Sequence, residues 1–337
     1  MAPSDAPAEL VQIGQGTWAL LRLPGSWGQT NTGLIAGADA SVVIDTPWDE
    51  RRGQEMMRLF EPHVRRAPIE SAVITHGDAD HWWGSDCLPS HADIISSEAT
   101  LEEIKHDNPP RQASLVVSAS RVLSRVPVRR IAHPFCIIGE ALAGVQPSPE
   151  KRVPSVTFTG KRVLSMGGRA LQLREEGPAH TAGDVIVYAP DVGVVFGGDL
   201  LFLGSTPVAW HGPLSNWIGA LERMMALEAD TYVPGHGPLA TKRDVGELAA
   251  YWQWITTDGR ACFDAGLTPL EAGRRLLASP DGRNRWASWL HPERIAITLH
   301  TAWREWLGRE LSTPTLRQRV AAFSDTRQLQ LEFSQGR

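Results

Sequence analysis

The sequence predicts a layered α/β fold that continues into a helical C-terminal region, and three patterns along the chain support this. In the first half, short β-branched runs alternate with amphipathic helical patterns. Between residues 155 and 200, short apolar runs follow one another with glycines between them, and after residue 243 the apolar spacing is helical. The first pattern is typical of sheets covered by helices, and the second is typical of an antiparallel meander.

The elements of the first half follow from their local patterns. Three strands are predicted between residues 11 and 46, in "TWALLRLP", "NTGLIAG" and "ASVVIDTP". Residues 49–63 are predicted as a helix, because their large apolar residues fall on one side. A buried strand in "IESAVITHGDADH" then passes into a polar loop, and "ADIISSEATLEEIKHD" is predicted as a strand followed by a helix.

The rest of the chain is divided in the same way. Residues 107–150 are expected to contain a helix and then a linker rich in proline and glycine. Strands return in "VTFTGKRVLSMGGRALQLREEG", "DVIVYAP", "VGVVFGGDLL" and "ADTYVPGHG", with the helix "LSNWIGALERMMAL" before the last, and further helices are predicted over 244–257, 268–278 and 292–310. We therefore predict an α/β domain over residues 10–242, a helical extension over 243–320 and a tail over 321–337.

Composition excludes several function classes. The net charge is -5 with no basic run, which argues against nucleic-acid binding. No 18-residue apolar stretch is present, and "MAPSDAPAELVQIG" lacks the features of a secretory signal, so we expect neither membrane insertion nor secretion. Three widely spaced cysteines suggest a reducing compartment, and the cytoplasm is the expected location. The expected partner is a small molecule, and the helical tail with its tryptophans could form a homodimer interface.

Four predicted loops, each following a strand, carry residues that bind metal ions. The candidate residues are His76, Asp78, Asp80 and His81 in "THGDADH", His180 in "GPAHTAGD", Asp199 in "VVFGGDLLF" and His236 in "VPGHGP". Imidazole nitrogens and carboxylate oxygens are the ligands that hold Zn²⁺ and other first-row dications. A single histidine in a loop is more often a surface residue, but agreement among four strand ends favours a metal site.

The four motifs also resemble the ordered motif set of the metallo-β-lactamase superfamily. This resemblance implies an αββα sandwich with the metal site along one edge of two packed sheets, in the domain over residues 10–242. It also implies that Asp45, in "IDTP", is the structural aspartate at the end of an early strand. Within the superfamily, the stretches around "DHWWG" and "TPVAWHGPLSNWI" look most like the branch of the chlorothalonil-type hydrolytic dehalogenase.

The resemblance assigns roles to the candidate ligands. His76, Asp78 and His180 would bind one metal ion. Asp80, His81 and His236 would bind a second, with Asp199 bridging the two. Asp78 departs from the family pattern, which usually has histidine there. A carboxylate is a harder donor, so we expect one or two Zn²⁺ ions, with iron or manganese as alternatives.

A metal-dependent hydrolase is the function that these residues favour. Metal-bound hydroxide would attack a small apolar or aromatic substrate at an ester, lactone, amide or carbon–halogen bond. Asp80 would orient that hydroxide and take a proton, and Trp82, Trp83 and Trp210 would line the substrate pocket. For each tryptophan, a role in packing alone is about equally expected.

Other functions stay open. An iron-dependent oxidoreductase on the same scaffold is compatible with Asp78. A hydrolytic dehalogenase of chlorinated aromatics agrees with the closer resemblance. A non-catalytic binding module is disfavoured by the complete ligand set, in which Asp78 is the single departure. A covalent nucleophile has no support, because the sequence contains no Gly-x-Ser-x-Gly motif.

Overall fold

Two sheets form the centre of the molecule. The computed structural model describes residues 7–107, 113–142, 145–146, 151–286 and 288–333. The first sheet has the order β1-β2-β3-β4-β5-β6-β7 and the second has the order β12-β11-β10-β9-β8. The first contains β1 (Glu9–Gly14), β2 (Thr17–Leu21), β3 (Thr32–Ala36), β4 (Ser41–Ile44), β5 (Ile69–Val73), β6 (Asp93–Ser97) and β7 (Val156–Phe158). The second contains β8 (Lys161–Met166), β9 (Arg169–Glu175), β10 (Val185–Ala189), β11 (Val194–Phe202) and β12 (Thr231–His236).

The first sheet changes from antiparallel to parallel pairing at β4. Strands β1 to β4 pair antiparallel, with short turns between β1 and β2 and between β3 and β4 and a longer loop, residues 22–31, between β2 and β3. Strands β4 to β7 pair in parallel, which requires crossover connections. Helix α1 (Glu50–Val64) joins β4 to β5, and helix α3 (Glu98–Asp107) follows β6. Parallel pairing of β4, β5 and β6 brings their carboxyl ends to one edge of the sheet.

The second sheet is the predicted meander with one added strand. β8, β9, β10 and β11 pair antiparallel in chain order, as short runs separated by glycine turns predict. β12 then pairs in parallel with β11, after helix α6 (Leu214–Met225). The loop after β9, the interior of β11 and the end of β12 therefore lie close together.

Apolar side chains fill the three spaces between four layers of helices and sheets, which confirms the layered α/β prediction. Between the sheets, a core joins residues such as Ile35 and Val73 of the first sheet to Leu173 and Phe196 of the second. On its outer face the first sheet packs against α1 through a second core. The second sheet packs against α6 and α7 (Lys242–Trp254) through a third. The order of layers is helix, sheet, sheet, helix, which is the αββα sandwich that the resemblance implies.

The C-terminal region is helical, as predicted. The observed helices are α8 (Arg260–Asp264), α9 (Pro269–Ala278), α10 (Ile295–Trp306) and α11 (Leu316–Phe333), with π-helical turns at Ile255–Gly259 and Gly282–Trp286 and a 3₁₀ turn at Pro292–Arg294. Helix α11 crosses residue 320, where the sequence analysis ended the extension. A helix rather than a tail follows this point, because Ala322, Thr326 and Leu329 are buried against the rest of the extension.

The middle of the chain also differs from its prediction. Instead of one helix and a linker, it contains α4 (Ala113–Leu123) and α5 (Arg129–Ala141). Helix α5 packs against α11, and Arg327 Nη1 lies 3.1 Å from Glu140 Oε1. This long-range contact explains why the local pattern gave only one helix. Within the predicted linker, residues 143, 144 and 147–150 lie outside the described residues.

Candidate metal centre

The two sheets deliver ligand-type side chains to one edge of the sandwich. After β5, the chain passes through His76 and Asp78 into the short helix α2 (Ala79–Trp82), which contains Asp80 and His81. The facing sheet supplies three further residues. His180 lies in the loop after β9, Asp199 lies within β11 and His236 is the last residue of β12. The structure thus brings together all seven residues that the sequence singled out.

The Asp199 carboxylate lies at the centre of four imidazoles. Its Oδ1 is 3.1 Å from Nε2 of His81, and its Oδ2 is 3.4 Å from Nε2 of both His180 and His236. Nε2 of His76 is 3.8 Å from the same Oδ2. Asp199 is 4% exposed, so these contacts are shielded from water. A carboxylate in this position can contact two cations at once.

Two further carboxylates extend the centre in opposite directions. Asp78 Oδ2 is 3.1 Å from His180 Nε2, and Asp80 Oδ2 is 3.4 Å from His236 Nε2. Three ligand groups result, each with donor atoms within 4.8 Å of one another: His76, Asp78 and His180; His76, His81 and Asp199; and Asp80, His81 and His236. The first and last match the two sites that the resemblance implies.

A glycine allows Asp199 to enter the centre. A Cβ atom at Gly235 would lie 1.9 Å from Asp199 Oδ1, far inside contact distance. Gly235 precedes His236, so the absence of a side chain lets two ligand-bearing strands approach closely.

The outer nitrogen of each imidazole is held by a hydrogen-bonding partner. The partner atoms of Nδ1 are Thr75 Oγ1 for His76 (2.9 Å), Asp45 Oδ2 for His81 (2.8 Å), Val208 O for His180 (2.5 Å) and Gln29 O for His236 (3.2 Å). Such partners fix the ring orientation and leave Nε2 available as a ligand, as is usual for histidines that bind metals.

Asp45 holds His81 and the ligand loop together. Its carboxylate accepts hydrogen bonds from Thr75 N at 2.7 Å and Thr75 Oγ1 at 2.8 Å, as well as from His81 Nδ1. Asp45 is 2% exposed, and its backbone has a φ of 59°, a conformation in which aspartate is more common than most residues. This geometry agrees with the structural role that the resemblance implies.

The charges of the centre are strongly coupled. Burial, with help from the nearby His81, lowers the pKa of His76 to about 3. Burial also disfavours charge on His180 and His236, but nearby carboxylates outweigh it. The hydrogen bond to Asp78 raises the pKa of His180 to about 10, and the charge of Asp199 raises that of His236 to about 9. Without a cation, protons on these rings offset the buried carboxylates.

The residues of the centre fit a divalent cation. Nε2 of His76, Nε2 of His81 and Oδ1 of Asp199 are buried, and although the last two lie 3.1 Å apart, none of the three has a partner with hydrogen-bond geometry among the described residues. Unpaired buried polar atoms are costly unless something binds them. Their convergence on one point, in a set of imidazoles and carboxylates, is what a first-row dication requires.

Two predicted substrate residues have a different position. Trp82 is 0% exposed and donates a hydrogen bond from Nε1 to Gly77 O at 3.0 Å, and Trp83 is 5% exposed. Both side chains belong to the core between the first sheet and its helices. Both side chains thus pack in the core, and contact between them and a substrate stays a prediction.

Trp210 does lie beside the centre. Its backbone N donates to His180 O at 3.0 Å, and its half-buried ring contacts Phe323 of α11. With Trp27, Val208, Ile297 and Ala322 these two side chains form a small apolar cluster. Since Val208 O also holds His180, this cluster adjoins the ligands directly.

A loop that no sequence motif marked covers the other side of the centre. In the segment "GSWGQT", Thr30 Oγ1 donates to Asp80 Oδ2 at 3.0 Å, and Gln29 O holds His236. The clustered glycines and the tryptophan of this segment were the only signal in the sequence that could have indicated a role.

The family assignment follows from comparison with known proteins. A model of the metallo-beta-lactamase superfamily matches residues 25–236, which include every residue of the centre. The chain belongs to this superfamily. A solved structure agrees on the fold: a metallo-beta-lactamase from Pontibacter korlensis is 19% identical with a TM-score of 0.55, and the match covers 73% of this chain and 99% of that one.

Proteins similar to this chain are named for diverse activities. The chain is 25% identical over 217 residues to the 2,4-dinitroanisole O-demethylase subunit alpha of Nocardioides sp. (strain JS1661), covering 62% of this chain and 53% of that one. It is 22% identical over 275 residues to the linear primary-alkylsulfatase of Pseudomonas sp. (strain ATCC 19151), covering 73% and 50%. It thus spans about half the length of these two relatives.

One structural match extends into the helical region. The stereoselective inverting sec-alkylsulfatase Pisa1 from Pseudomonas sp. has a TM-score of 0.68 at 16% identity, and the match covers 89% of this chain and 50% of that one. The superfamily assignment confirms the predicted resemblance, while the closer likeness to the chlorothalonil branch stays a prediction. Within the described ranges, no helix combines the length and apolar character that a membrane span needs.

Proposed function

We propose that the protein is a metal-dependent hydrolase of small esters. The observation that carries this proposal is the arrangement of four imidazoles around Asp199, each with its outer nitrogen already held by a hydrogen-bonding partner. A rigid, buried set of this kind supports catalysis better than a role in folding alone, because the two ends of the centre remain open at Asp78 and Asp80, with side chains 31% and 14% exposed.

The chain's own residues supply positioning and proton transfer. A bound dication lowers the pKa of water to about 7 and polarises the bond to be broken. Asp80 Oδ2, fixed by Thr30 and His236, accepts a proton from the attacking water. The water oxygen bonds to the electrophilic atom of the substrate, the bond to the leaving oxygen breaks, and that oxygen receives the proton.

An apolar or aromatic body is the proposed character of the substrate. Trp210 and Phe323 present half-buried aromatic surface in the apolar cluster that includes Val208, whose carbonyl oxygen lies 2.5 Å from His180 Nδ1. Two relatives support an ester-type bond. The alkylsulfatase supports a sulfate ester. The human acyl-coenzyme A thioesterase MBLAC2, to which the chain is 24% identical over 239 residues, covering 66% of this chain and 79% of that one, supports a thioester. Lactones, amides and carbon–halogen bonds remain further candidates, the last through a dehalogenase of chlorinated aromatics.

Zinc is the proposed metal, with one or two ions per chain. Asp78 provides a hard oxygen donor beside His76 and His180, so iron and manganese are the alternatives. The cytoplasmic location and the homodimer stay predictions.

A chelation experiment tests the proposed hydrolase. Purified protein should hydrolyse 4-nitrophenyl esters, lose this activity on removal of metal and regain it on addition of Zn²⁺. His180→Ala should abolish activity and metal binding together. His91→Ala is the matched control, because His91 is exposed and lies 3.7 Å from Glu70, outside the centre. Full hydrolysis by metal-free protein would overturn the proposal.

Asp78 supports one second candidate, an iron-dependent oxidoreductase. For this function, protein purified from iron-supplied cells should contain iron, show its visible absorption and consume oxygen with a reduced substrate. Iron content without oxygen consumption would leave hydrolysis as the function.

A further inference from the structure

Arg294 is a buried cation with unused hydrogen-bonding capacity. It ends the 3₁₀ turn Pro292–Arg294 in the helical extension and is 2% exposed. Its Nε and Nη2 atoms are buried, and among the residues that the structure describes neither has a hydrogen-bond partner. A buried guanidinium is ordinarily paired, so two nitrogen atoms without hydrogen-bond acceptors need a physical explanation.

The guanidinium of Arg294 packs against the loop that covers the metal centre. Its Cζ is 3.8 Å from the centroid of the Trp27 ring, which forms a platform for it. Trp27 belongs to the same loop as Gln29 and Thr30, whose atoms hold His236 and Asp80. Arg294 thus contacts the loop that holds two members, His236 and Asp80, of one ligand group.

Neighbouring residues fix the turn that contains Arg294. His291 Nε2 lies 2.7 Å from Ser26 Oγ, within the covering loop. Leu290 exchanges backbone hydrogen bonds with the segment that follows β11, donating to Gly204 O at 2.8 Å and accepting from Thr206 N at 2.9 Å. Since β11 contains Asp199, the turn is attached to the strand that supplies the central carboxylate. Arg294 therefore has a preorganised position.

Electrostatics agree with this position. Burial lowers the pKa of Arg294 to about 10, although the charges of Glu293, Asp199 and Asp80 act in the opposite direction. The side chain therefore stays charged at neutral pH. Because Asp199 and Asp80 belong to the centre, cations bound there would leave the positive charge of Arg294 available for another anion.

We propose that Arg294 binds an anionic group of the substrate, which makes the substrate an amphiphilic anion whose apolar body contacts Trp210 and Phe323. This inference rests on the proposed hydrolase function and specifies its substrate class. A guanidinium offers parallel N–H donors that match two oxygens of a carboxylate or sulfate, and a desolvated position strengthens that contact. The anionic group is either the ester sulfate that reacts or a carboxylate elsewhere on the molecule.

Matched substrates test this assignment. 4-Nitrophenyl pentanoate is neutral, the 4-nitrophenyl monoester of glutaric acid carries a carboxylate at the end of a similar chain, and 4-nitrophenyl sulfate carries its charge at the reacting group. Arg294→Met should lower kcat/KM roughly 10- to 100-fold for an anionic ester and leave the neutral ester within about threefold. Arg294→Lys should restore part of the loss, since it retains the charge without the fork.

The anionic substrate whose kcat/KM falls in Arg294→Met identifies the group that Arg294 binds. A selective loss on the sulfate means that Arg294 holds the reacting group, and a selective loss on the glutarate means that it holds a remote carboxylate. Arg260→Met is the control, because Arg260 also lies over aromatic rings of the extension but pairs with exposed Asp264. Equal losses on neutral and anionic esters would give Arg294 a structural role and overturn the inference.

A binding measurement separates this inference from the hydrolase proposal. Zinc-loaded and metal-free protein should both bind 4-nitrobenzenesulfonate more tightly than the neutral methyl 4-nitrophenyl sulfone in calorimetry, and Arg294→Met should reduce the difference. If no ester is hydrolysed, the hydrolase proposal fails, and this comparison still decides the role of Arg294. Arg294→Lys, which should keep part of the difference because it keeps the charge, is the second variant if Arg294→Met does not fold. Equal binding of the two probes by the unaltered protein would contradict anion recognition.

Discussion

Asp45 combines an uncommon backbone conformation with three hydrogen bonds at the edge of the centre. With a φ of 59°, it directs both carboxylate oxygens toward Thr75 and His81. Uncommon backbone conformations tend to persist where surrounding contacts determine them. The hydrogen bond from His81 Nδ1 to Asp45 fixes the orientation of the His81 imidazole. Asp45 would therefore influence a bound metal without touching it.

Asp45→Asn should therefore weaken metal binding and leave the fold intact. The amide oxygen can still accept from Thr75 N, but the amide nitrogen cannot accept from His81 Nδ1. We expect a loss of metal affinity of about 10- to 100-fold, measured by competition with a chelator. Asp39→Asn is the control, since Asp39 is exposed. Unchanged affinity would contradict the positioning role.

Asp78 should control which metal the centre prefers. Asp78→His replaces a hard oxygen donor by an imidazole beside His76 and His180, which should raise the ratio of bound zinc to bound iron or manganese. Metal analysis after loading with an equal mixture of these ions measures the ratio. If the ratio does not change, Asp78 does not coordinate.

At this scale, the sequence predicted the side chains that carry chemistry better than those that line the site. His180 follows a strand and His236 ends one, and both have glycines nearby, which is a local signal. Trp82 follows the same loop, but its direction depends on the helix and sheet that pack around it. Sequence adjacency to a ligand therefore does not predict contact with substrate.

At the scale of elements, helix α11 joins the extension to the centre. Leu329 is 0% exposed and packs into the core shared with α6 and α7, and Phe323 contacts Trp210. The buried side of α11 includes small and polar residues, so its apolar pattern is weak and the sequence analysis placed a tail there. Packing rather than local pattern stabilises this helix.

Substitutions of a buried and an exposed leucine in α11 should have different effects on the free energy of unfolding. Leu329→Ala removes a fully buried side chain and should lower the free energy of unfolding by about 2–5 kcal/mol. Leu331→Ala, two residues away and 37% exposed, should change it by less than about 0.5 kcal/mol. Chemical denaturation measures both values. Equal effects would mean that α11 is not docked as the structure has it.

At the scale of the whole molecule, the centre exists only because two sheets meet. His76 and His81 come from one sheet, and His180, Asp199 and His236 come from the other. The order of motifs and the family resemblance were enough to predict this meeting. The contact between Trp27 and Arg294 was not predictable, since the two residues are distant in sequence and neither belongs to a motif.

The coupled charges predict how pH acts on the metal-free protein. The pKa values of His180 and His236 are raised to about 10 and about 9, so their protonated forms stabilise the fold fully below about pH 6.5, and this contribution is lost as pH rises through 9 to 10. Metal-free protein should therefore become less stable across that range. Metal-loaded protein should not, because the bound cation takes the place of the protons. Thermal unfolding at several pH values measures both, and parallel curves would contradict the coupling.

Metal content per chain is the most direct test of the claim that both sheets build one dication centre. Elemental analysis of purified protein should find one or two first-row dications per chain, and Asp199→Ala, which removes the carboxylate shared by four imidazoles, should release them. Protein that contains no such metal after loading, or an Asp199→Ala variant that retains the full amount, would contradict the account.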